Sequence, residues 1–147
     1  MKTTLAAFFL LLLTAAGCSH KEDSVAPASA AGATFPEIIA SGNWVVTSCT
    51  QGTEDKTNSM SGIRFTFDKN GQATAVQGSD LTPGGWAWGG NSYYGTPASS
   101  KTVTFAFGAR KPFDKISRPW IIQEATAAVM KLDSSNPAEA EHLVFSR

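Results

Sequence analysis

The amino-acid sequence predicts an all-β domain of about eight short antiparallel strands, and two patterns carry this prediction. In residues 62–77, Ile63, Phe65 and Phe67 alternate with polar residues, so the three apolar side chains are expected on one face of a strand. Turn-forming residues follow at 68–71, and the chain then resumes a strand-like composition, which predicts a hairpin. Similar segments and turns recur up to the carboxyl end, without an amphipathic helix of ordinary length.

The first strand of the domain begins at Trp44. Alternation places Trp44, Val46 and Ser48 on one face of this strand and puts Cys49 on the other face. A polar loop without a hydrophobic pattern is expected over residues 51–61.

The chain beyond the hairpin continues in the same style. Glycine and proline make residues 78–85 a turn-rich region, and Trp86 and Trp88 are expected on one face of a short strand that follows it. Residues 89–100 are interpreted as a long loop. The remaining strands are expected at 102–107, 120–125, 126–132 and 142–146, with a connection at 111–118 and a turn at 133–137. Such spacing indicates a sandwich or an up-and-down barrel, and closure into a barrel would remove exposed strand edges.

The first 17 residues have the layout of a secretory signal peptide. A positive charge at Lys2 precedes an apolar run over residues 5–13, and small residues lead to Cys18. The alternative, a membrane-spanning helix, would need about 20 apolar residues, which is roughly twice the length of this run.

Residues Ala15 to Cys18 resemble the lipobox of bacterial lipoproteins, although that family usually has Leu where this chain has Ala15. The resemblance implies cleavage after Gly17 and acylation of Cys18, so the chain would bind a membrane through acyl chains. The alternative is an ordinary signal peptide followed by an incidental cysteine. Because the chain has two cysteines, lipidation of Cys18 would leave Cys49 without a partner for an internal disulfide.

Residues 18–40 are expected to form a flexible tether that ends in a short helical turn, with Thr34 as its cap and Pro36 near the first helical position. The globular domain then comprises residues 41–147. Within the tether, Lys21-Glu22-Asp23 resembles the charged tag that directs some Gram-negative lipoproteins to the outer face of the outer membrane. The alternative is a solvated run of charges without a targeting role.

Charge and composition argue against several functions. Twelve basic and twelve acidic residues give a net charge of zero, so no overall field attracts nucleic acid, and the basic group at 110–118 is interrupted by Asp114.

Cys49 and His142 are formally available as a nucleophile and a base, but they are far apart in sequence and no glycine-rich oxyanion loop accompanies them. Cys49 is instead expected to pack as a small apolar side chain. Neither catalysis nor a metal or other cofactor is expected, since no metal-ligand spacing is present.

Gly42-Asn43-Trp44 resembles the Gly-x-Trp motif of lipocalins, and residues 41–147 are similar to the lipocalin-like domains of Gram-negative outer-membrane lipoproteins. The supporting matches are Phe65-Thr66-Phe67 before an Asn-Gly turn, Trp88 at the end of the fourth strand, Phe113-Asp114 before Trp120, and a last apolar strand that ends in a basic residue. The resemblance implies a basic side chain that packs across Trp44, and Arg147 is the candidate for this role.

An eight-stranded barrel is just wide enough to be filled by side chains or to hold one small ligand. The leading hypothesis is an outer-membrane lipoprotein that binds or carries a small apolar or amphipathic ligand without converting it. The candidate ligand-binding residues are aromatic: Phe65, Phe67, Trp86, Trp88, Tyr93, Tyr94, Phe105 and Trp120. The alternative hypothesis is a filled barrel that recognises protein or glycan through exposed aromatic loops.

Overall fold

The structure, a computed structural model, describes residues 32–89 and 101–147. These residues include one short helix, α1 (Phe35–Ile39), and three short 3-10 turns at Thr57–Met60, Phe113–Lys115 and Pro137–Glu139. The strands are β1 (Asn43–Gln51), β2 (Glu54–Asp55), β3 (Ile63–Phe67), β4 (Gln72–Gln77), β5 (Asp80–Gly89), β6 (Thr102–Ala106), β7 (Pro119–Ala125), β8 (Val129–Ser134) and β9 (Glu141–Ser146).

All strand pairs are antiparallel, and the order in the sheet is β2-β1-β3-β4-β5-β6-β7-β8-β9. Because β1 also pairs with β9, eight strands close into a barrel, and the two-residue β2 lies beside β1 as an extra strand. The prediction of an all-β, up-and-down barrel is confirmed, and a sandwich is excluded.

The two ends of the barrel differ in character. The end that we call the helix end is formed by α1, the β3–β4 turn (68–71), the β7–β8 turn (126–128) and Arg147. The opposite end, which we call the polar end, is formed by residues 52–62, 78–79, 107–118 and 135–140.

The barrel interior is filled by a continuous set of aromatic rings, here called the aromatic column. Its members are each at most 7% exposed, and they are Phe35, Phe65, Phe67, Trp86, Phe105, Phe107, Phe113 and Phe145. Centroids of contacting rings lie between 5.4 and 6.4 Å apart, mostly edge to face. Each such pair contributes about 0.5–1.5 kcal/mol beyond the burial of its surface. The column extends from Phe35 at the helix end to Phe113 at the polar end.

The short helix begins where the sequence predicts it, with Thr34 as the residue before its first turn and Pro36 inside that turn. The Glu37 carboxylate accepts hydrogen bonds from the backbone N–H of Thr34 at 2.7 Å and from its hydroxyl at 3.0 Å. These bonds lower the pKa of Glu37 below its ordinary value. The exposed carboxylate thus fixes the entry of the chain into α1.

Helix α1 is held against the barrel by the first strand and by the last residue. The indole N–H of Trp44 donates a hydrogen bond of 2.8 Å to the carbonyl of Ile39, and the Arg147 guanidinium donates one of 3.0 Å to the carbonyl of Ile38. The Ile39 carbonyl thereby gains a partner outside the helix, and the Ile38 carbonyl, which also accepts a hydrogen bond of 2.6 Å from the Ser41 hydroxyl, gains a second one. Trp44 and Ile39 are fully buried as a result.

The turn-rich interpretation of residues 78–85 is wrong, because most of this region belongs to the ten-residue strand β5. A two-residue turn at Gly78 and Ser79 is sufficient to connect β4 to β5. Gly84 serves packing inside the strand, since a Cβ at this position would lie 2.4 Å from the ring of Phe107. Gly84 therefore gives an aromatic ring room against the barrel wall.

The expected face of Cys49 is also wrong, and the cause is a bulge in β1. The pairing of β1 with β9 shifts between Val46 and Ser48, so Thr47 is an extra residue in β1. The bulge reverses the alternation after it. Cys49, instead of Ser48, therefore points into the barrel on the same side as Trp44 and is 5% exposed.

The polar loop expected at residues 51–61 contains more structure than predicted. It includes β2 and the 3-10 turn Thr57–Met60, and the Thr57 hydroxyl accepts a hydrogen bond of 2.9 Å from the Cys49 backbone N–H. Met60 at the end of this turn is 1% exposed and covers the polar end of the core. A single apolar residue is too short a pattern to reveal such a cover from sequence.

We expect Phe145→Ala to lower the free energy of unfolding by about 3–5 kcal/mol, because a fully buried ring leaves a cavity in the column. Urea denaturation followed by circular dichroism measures this loss. The matched control is Leu81→Ala, which truncates a side chain that is 65% exposed and should change stability by about 0.5 kcal/mol or less. A loss below about 1 kcal/mol for Phe145→Ala would contradict a tightly packed interior.

Candidate functional site

A cleft of about 270 Å³ lies between α1 and β7 at the helix end, and we call it the helix-end cleft. It is lined by Ala33, Phe35, Ile38, Lys101, Ile122, Gln123, Glu124 and Ala125. Its volume is near the lower limit of about 300 Å³ that is usual for small-molecule pockets. The floor is apolar because Ile38 and Phe35 are buried core residues, while the strand residues at the rim are polar.

Aromatic side chains border this cleft. Phe35 lies between the two tryptophans of β5, with its ring 6.3 Å from that of Trp86 and 6.4 Å from that of Trp88. The indole N–H of Trp86 donates a hydrogen bond of 2.8 Å to the carbonyl of Asp68, so Trp86 is fixed and 7% exposed. Trp88, two residues further along β5, is 47% exposed. The helix end thus presents an aromatic surface beside a cleft with an apolar floor and a polar rim.

Charged side chains stand at the rim of the cleft. Lys101 is exposed directly before β6, and its backbone carbonyl accepts a hydrogen bond of 2.9 Å from the backbone N–H of Ile122. Glu124 is also exposed, and Lys131 of the neighbouring strand lies 2.6 Å from its carboxylate. Surface ion pairs of this kind contribute little to stability, so the side chains of Glu124 and Lys131 can rearrange around a ligand.

Two further hollows lie at the polar end. One of about 320 Å³ adjoins the β8–β9 turn and is bordered by Asp133 and His142, and one of about 510 Å³ lies beside the β6–β7 connection near Asp114. The helix-end cleft differs from both because an exposed tryptophan stands next to it.

The structure separates the eight predicted ligand-binding residues. Those packed in the interior, each at most 5% exposed, are Phe65, Phe67, Phe105 and Trp120. Trp88 is exposed beside the helix-end cleft and contacts Phe35 of the aromatic column, and Trp86 is a buried member of that column. Tyr93 and Tyr94 lie outside the described residues, as does Cys18. A ligand role for any of these residues stays a prediction.

Gly42, Trp44 and Arg147, the three motif residues named from the lipocalin resemblance, lie close together at the helix end. The Arg147 guanidinium carbon lies 4.4 Å from the centre of the Trp44 ring, a cation–π contact, and the same side chain bonds to the hydroxyl of Ser41. A Cβ on Gly42 would stand 3.4 Å from this guanidinium. This is an ordinary van der Waals distance, so Gly42 lies directly beside the arginine.

A charged network that sequence reasoning missed lies at the polar end. Nη1 of Arg118 donates to Glu139 at 2.8 Å and to Glu141 at 2.6 Å, and the Ser134 hydroxyl donates to Glu139 at 2.9 Å. Hydrogen bonding, first from Ser134, lowers the pKa of Glu139. Burial raises the pKa of Glu141, and nearby Glu139 adds to the increase although Arg118 opposes it. The pKa values of the two carboxyl groups that share one arginine are thus shifted in opposite directions.

Cys49 and His142 do not form a nucleophile and base pair in this structure. They lie on neighbouring strands, but Cys49 points into the barrel whereas the His142 side chain is 57% exposed and contacts Asp133 at 2.7 Å. Burial raises the pKa of Cys49, and Glu141 reinforces this shift. The thiol is therefore held in its protonated, unreactive form.

Within residues 32–89 and 101–147, no three side chains of the His, Cys, Asp and Glu types are grouped closely enough to bind a metal ion. In the same part of the chain, no helix has the length and apolar character that crossing a membrane requires.

Comparison with known proteins supports the fold. No protein-family model matches the chain, and no curated protein matches it. Among solved structures, the chain is similar to the crystal structure of a DUF4847 family protein from Bacteroides vulgatus, with 18% sequence identity and a TM-score of 0.53. The match covers 77% of this chain and 96% of the other chain. At this identity the likeness extends to the fold alone.

The polar network predicts an unusual pH dependence of stability. Because the folded pKa of Glu141 is raised above its ordinary value of 4.5, the folded state binds this proton more tightly than the unfolded state does. Its contribution to stability is therefore greatest below the unfolded pKa and is lost as pH rises through the folded pKa. We expect the free energy of unfolding of the wild type, relative to Glu141→Gln, to increase as pH is lowered from about 7 to about 5.

Urea denaturation at a series of pH values measures this difference. Glu54→Gln is the matched control, because the pKa of this exposed carboxyl is lowered by Lys56 and its effect should appear only as pH falls below 4.5. If the difference in the free energy of unfolding between the wild type and Glu141→Gln stayed constant from about pH 7 to about pH 5, the raised pKa of Glu141 would be contradicted.

Proposed function

We propose that the protein is a lipid-anchored, lipocalin-like lipoprotein of the outer membrane that binds a small apolar or amphipathic ligand without converting it. The observation that carries this proposal is the helix-end cleft, a hollow with an apolar floor and a polar rim that lies beside the exposed Trp88 at one mouth of the barrel. Apolar hollows with a few polar groups at the rim are the usual setting of small-molecule recognition.

The ligand would lie at the mouth of the barrel and not in its lumen. The aromatic column occupies the interior, and its rings are packed at the separations of a protein core. Opening the lumen would require several buried rings to leave their partners at once. A ligand at the helix end would need only small movements of exposed side chains such as Trp88 and Lys101.

The lining of the cleft suggests the chemistry of the ligand. Phe35, Ile38 and Ile122 offer an apolar surface for an acyl chain or a similar group, and Lys101 at the rim can pair with a negative head group. An amphipathic molecule with an apolar tail and an anionic end suits both features.

The anchor follows from the amino-terminal sequence. The lipobox-like Ala15 to Cys18 supports acylation of Cys18, and two or three acyl chains would hold the chain on a bilayer. If residues 18–32 act as the flexible tether that their composition predicts, they span about 20 Å on average. This reach keeps the barrel close to the membrane surface.

A second candidate function is supported by the filled interior itself. A barrel without room for a ligand can act as a rigid support for surface recognition, and Trp88 offers flat aromatic area to a protein or a glycan. In this case the helix-end cleft would have no small ligand of its own.

Binding of a fluorescent fatty-acid probe distinguishes the two candidates. We expect the wild type to bind the probe displaceably, and Ile122→Glu to weaken binding about tenfold or more because a charge would enter the apolar floor. Trp88→Ala should weaken binding to a smaller degree. Probe titration by fluorescence measures both effects.

The matched control for this experiment is Leu81→Glu, which adds the same charge at an exposed position outside the cleft. Its affinity for the probe should equal that of the wild type. If the wild type shows no displaceable binding, the ligand hypothesis is wrong and surface recognition is preferred.

The anchor is tested separately by metabolic labelling. Radioactive palmitate should be incorporated into the wild-type chain expressed in a Gram-negative host, and Cys18→Ala should abolish labelling. Cys49→Ala serves as the control, since Cys49 is buried in the folded domain and should not affect labelling. Labelling that persists in Cys18→Ala would contradict the assignment of the acylated residue.

A further inference from the structure

We propose that the helix end of the barrel is a membrane-docking surface, which rests on the bilayer with Trp88 at the level of the lipid head groups. This inference rests on the anchor in the proposed function, and it adds an orientation that the anchor alone does not provide. A tethered domain could otherwise turn any face toward the membrane.

The path of the chain is the first argument. The described chain enters the domain through Ala33 and Thr34, directly before α1, and Ala33 packs against the core and lines the helix-end cleft. Cys18 is separated from this entry by a segment that would span about 20 Å as a flexible tether. The helix end is therefore the part of the barrel that the anchor holds nearest to the bilayer.

The side chains of this end are the second argument. Trp88 is 47% exposed and contacts Phe35, which joins it to the apolar floor of the cleft. The β7–β8 turn at the same end, Thr126-Ala127-Ala128, carries no charge. Tryptophan prefers the interface of a bilayer because its ring is apolar and its indole N–H is polar.

The distribution of charge is the third argument. At the polar end the charged residues include Lys56, Arg110, Lys111, Asp114, Lys115, Arg118, Glu139 and Glu141. At the helix end, exposed Lys69, Lys101, Lys131 and Arg147 stand against exposed Glu37, Asp68 and Glu124. Because these charges nearly cancel, docking would depend on the aromatic and apolar groups. It should occur on neutral phosphatidylcholine and should not be reversed by salt.

This orientation has a consequence for the ligand. The helix-end cleft would open toward the bilayer, so an amphipathic molecule could pass between the membrane and the cleft without crossing water. The polar end would face away from the bilayer.

Tryptophan fluorescence provides the test. The chain has four tryptophans, and Trp44, Trp86 and Trp120 are at most 7% exposed, so Trp88 is the one that can reach lipid. The mature chain is coupled through the Cys18 thiol to a maleimide lipid in phosphatidylcholine vesicles with brominated acyl chains. Cys49 is 5% exposed and does not compete for coupling. We expect brominated lipid to quench part of the emission, and Trp88→Phe to abolish most of that quenching.

A matched reporter at the other end controls for proximity alone. Trp88→Phe combined with Ser59→Trp moves the exposed tryptophan to the polar end, where Ser59 is exposed, and this variant should show little quenching. Equal quenching of both reporters, or quenching of the wild type that 0.5 M salt removes, would overturn the proposal. Because the coupling is chemical, the result does not depend on natural acylation, which the palmitate experiment tests.

Discussion

The pairing of β1 with β9 closes the sheet, and the rest of the structure depends on this closure. A closed eight-stranded barrel has an interior of fixed width, which must be filled by side chains or by a ligand. Here the aromatic column fills it, because strands β3, β5, β6 and β9 each direct large rings inward. A barrel lined by smaller residues would leave a cavity at a cost of several kcal/mol. The closed barrel is therefore stable because its strands carry aromatic side chains large enough to fill its interior.

Closure also positions the helix end. Arg147 follows β9 directly, and it can lie across Trp44 only because β9 is hydrogen-bonded to β1. The same arginine and the same indole bind the carbonyls that end α1. The helix, and with it one wall of the helix-end cleft, is thus fixed by residues from both ends of the domain.

Local patterns were sufficient to predict much of this fold, and long-range contacts explain the rest. Alternation in β3 depends on neighbouring residues alone, and its three inward residues were predicted correctly. Cys49 was misplaced because its face is set by a bulge against a strand about 95 residues away. The sequence predicts a turn at Gly84, because the contact that requires a glycine inside the strand is with the ring of Phe107, which is distant in sequence. Arg118 finds its carboxylate partners on a separate turn and strand, so its network has no local signal.

The two ends of the barrel satisfy opposite physical requirements. At the polar end, Glu141 is buried with a raised pKa, and Arg118 together with Glu139 and Ser134 makes that burial tolerable. Such a network is rigid, because removing one partner would leave another partner buried, charged and without its hydrogen bonds. At the helix end, Trp88 lies partly in solvent and packs against the ring of Phe35. An end that must adapt to a ligand or a bilayer needs exposed groups with few fixed bonds, and an end that closes the core needs the reverse. The division of charge and aromatic surface along the barrel axis is therefore what allows a filled barrel to retain a binding surface.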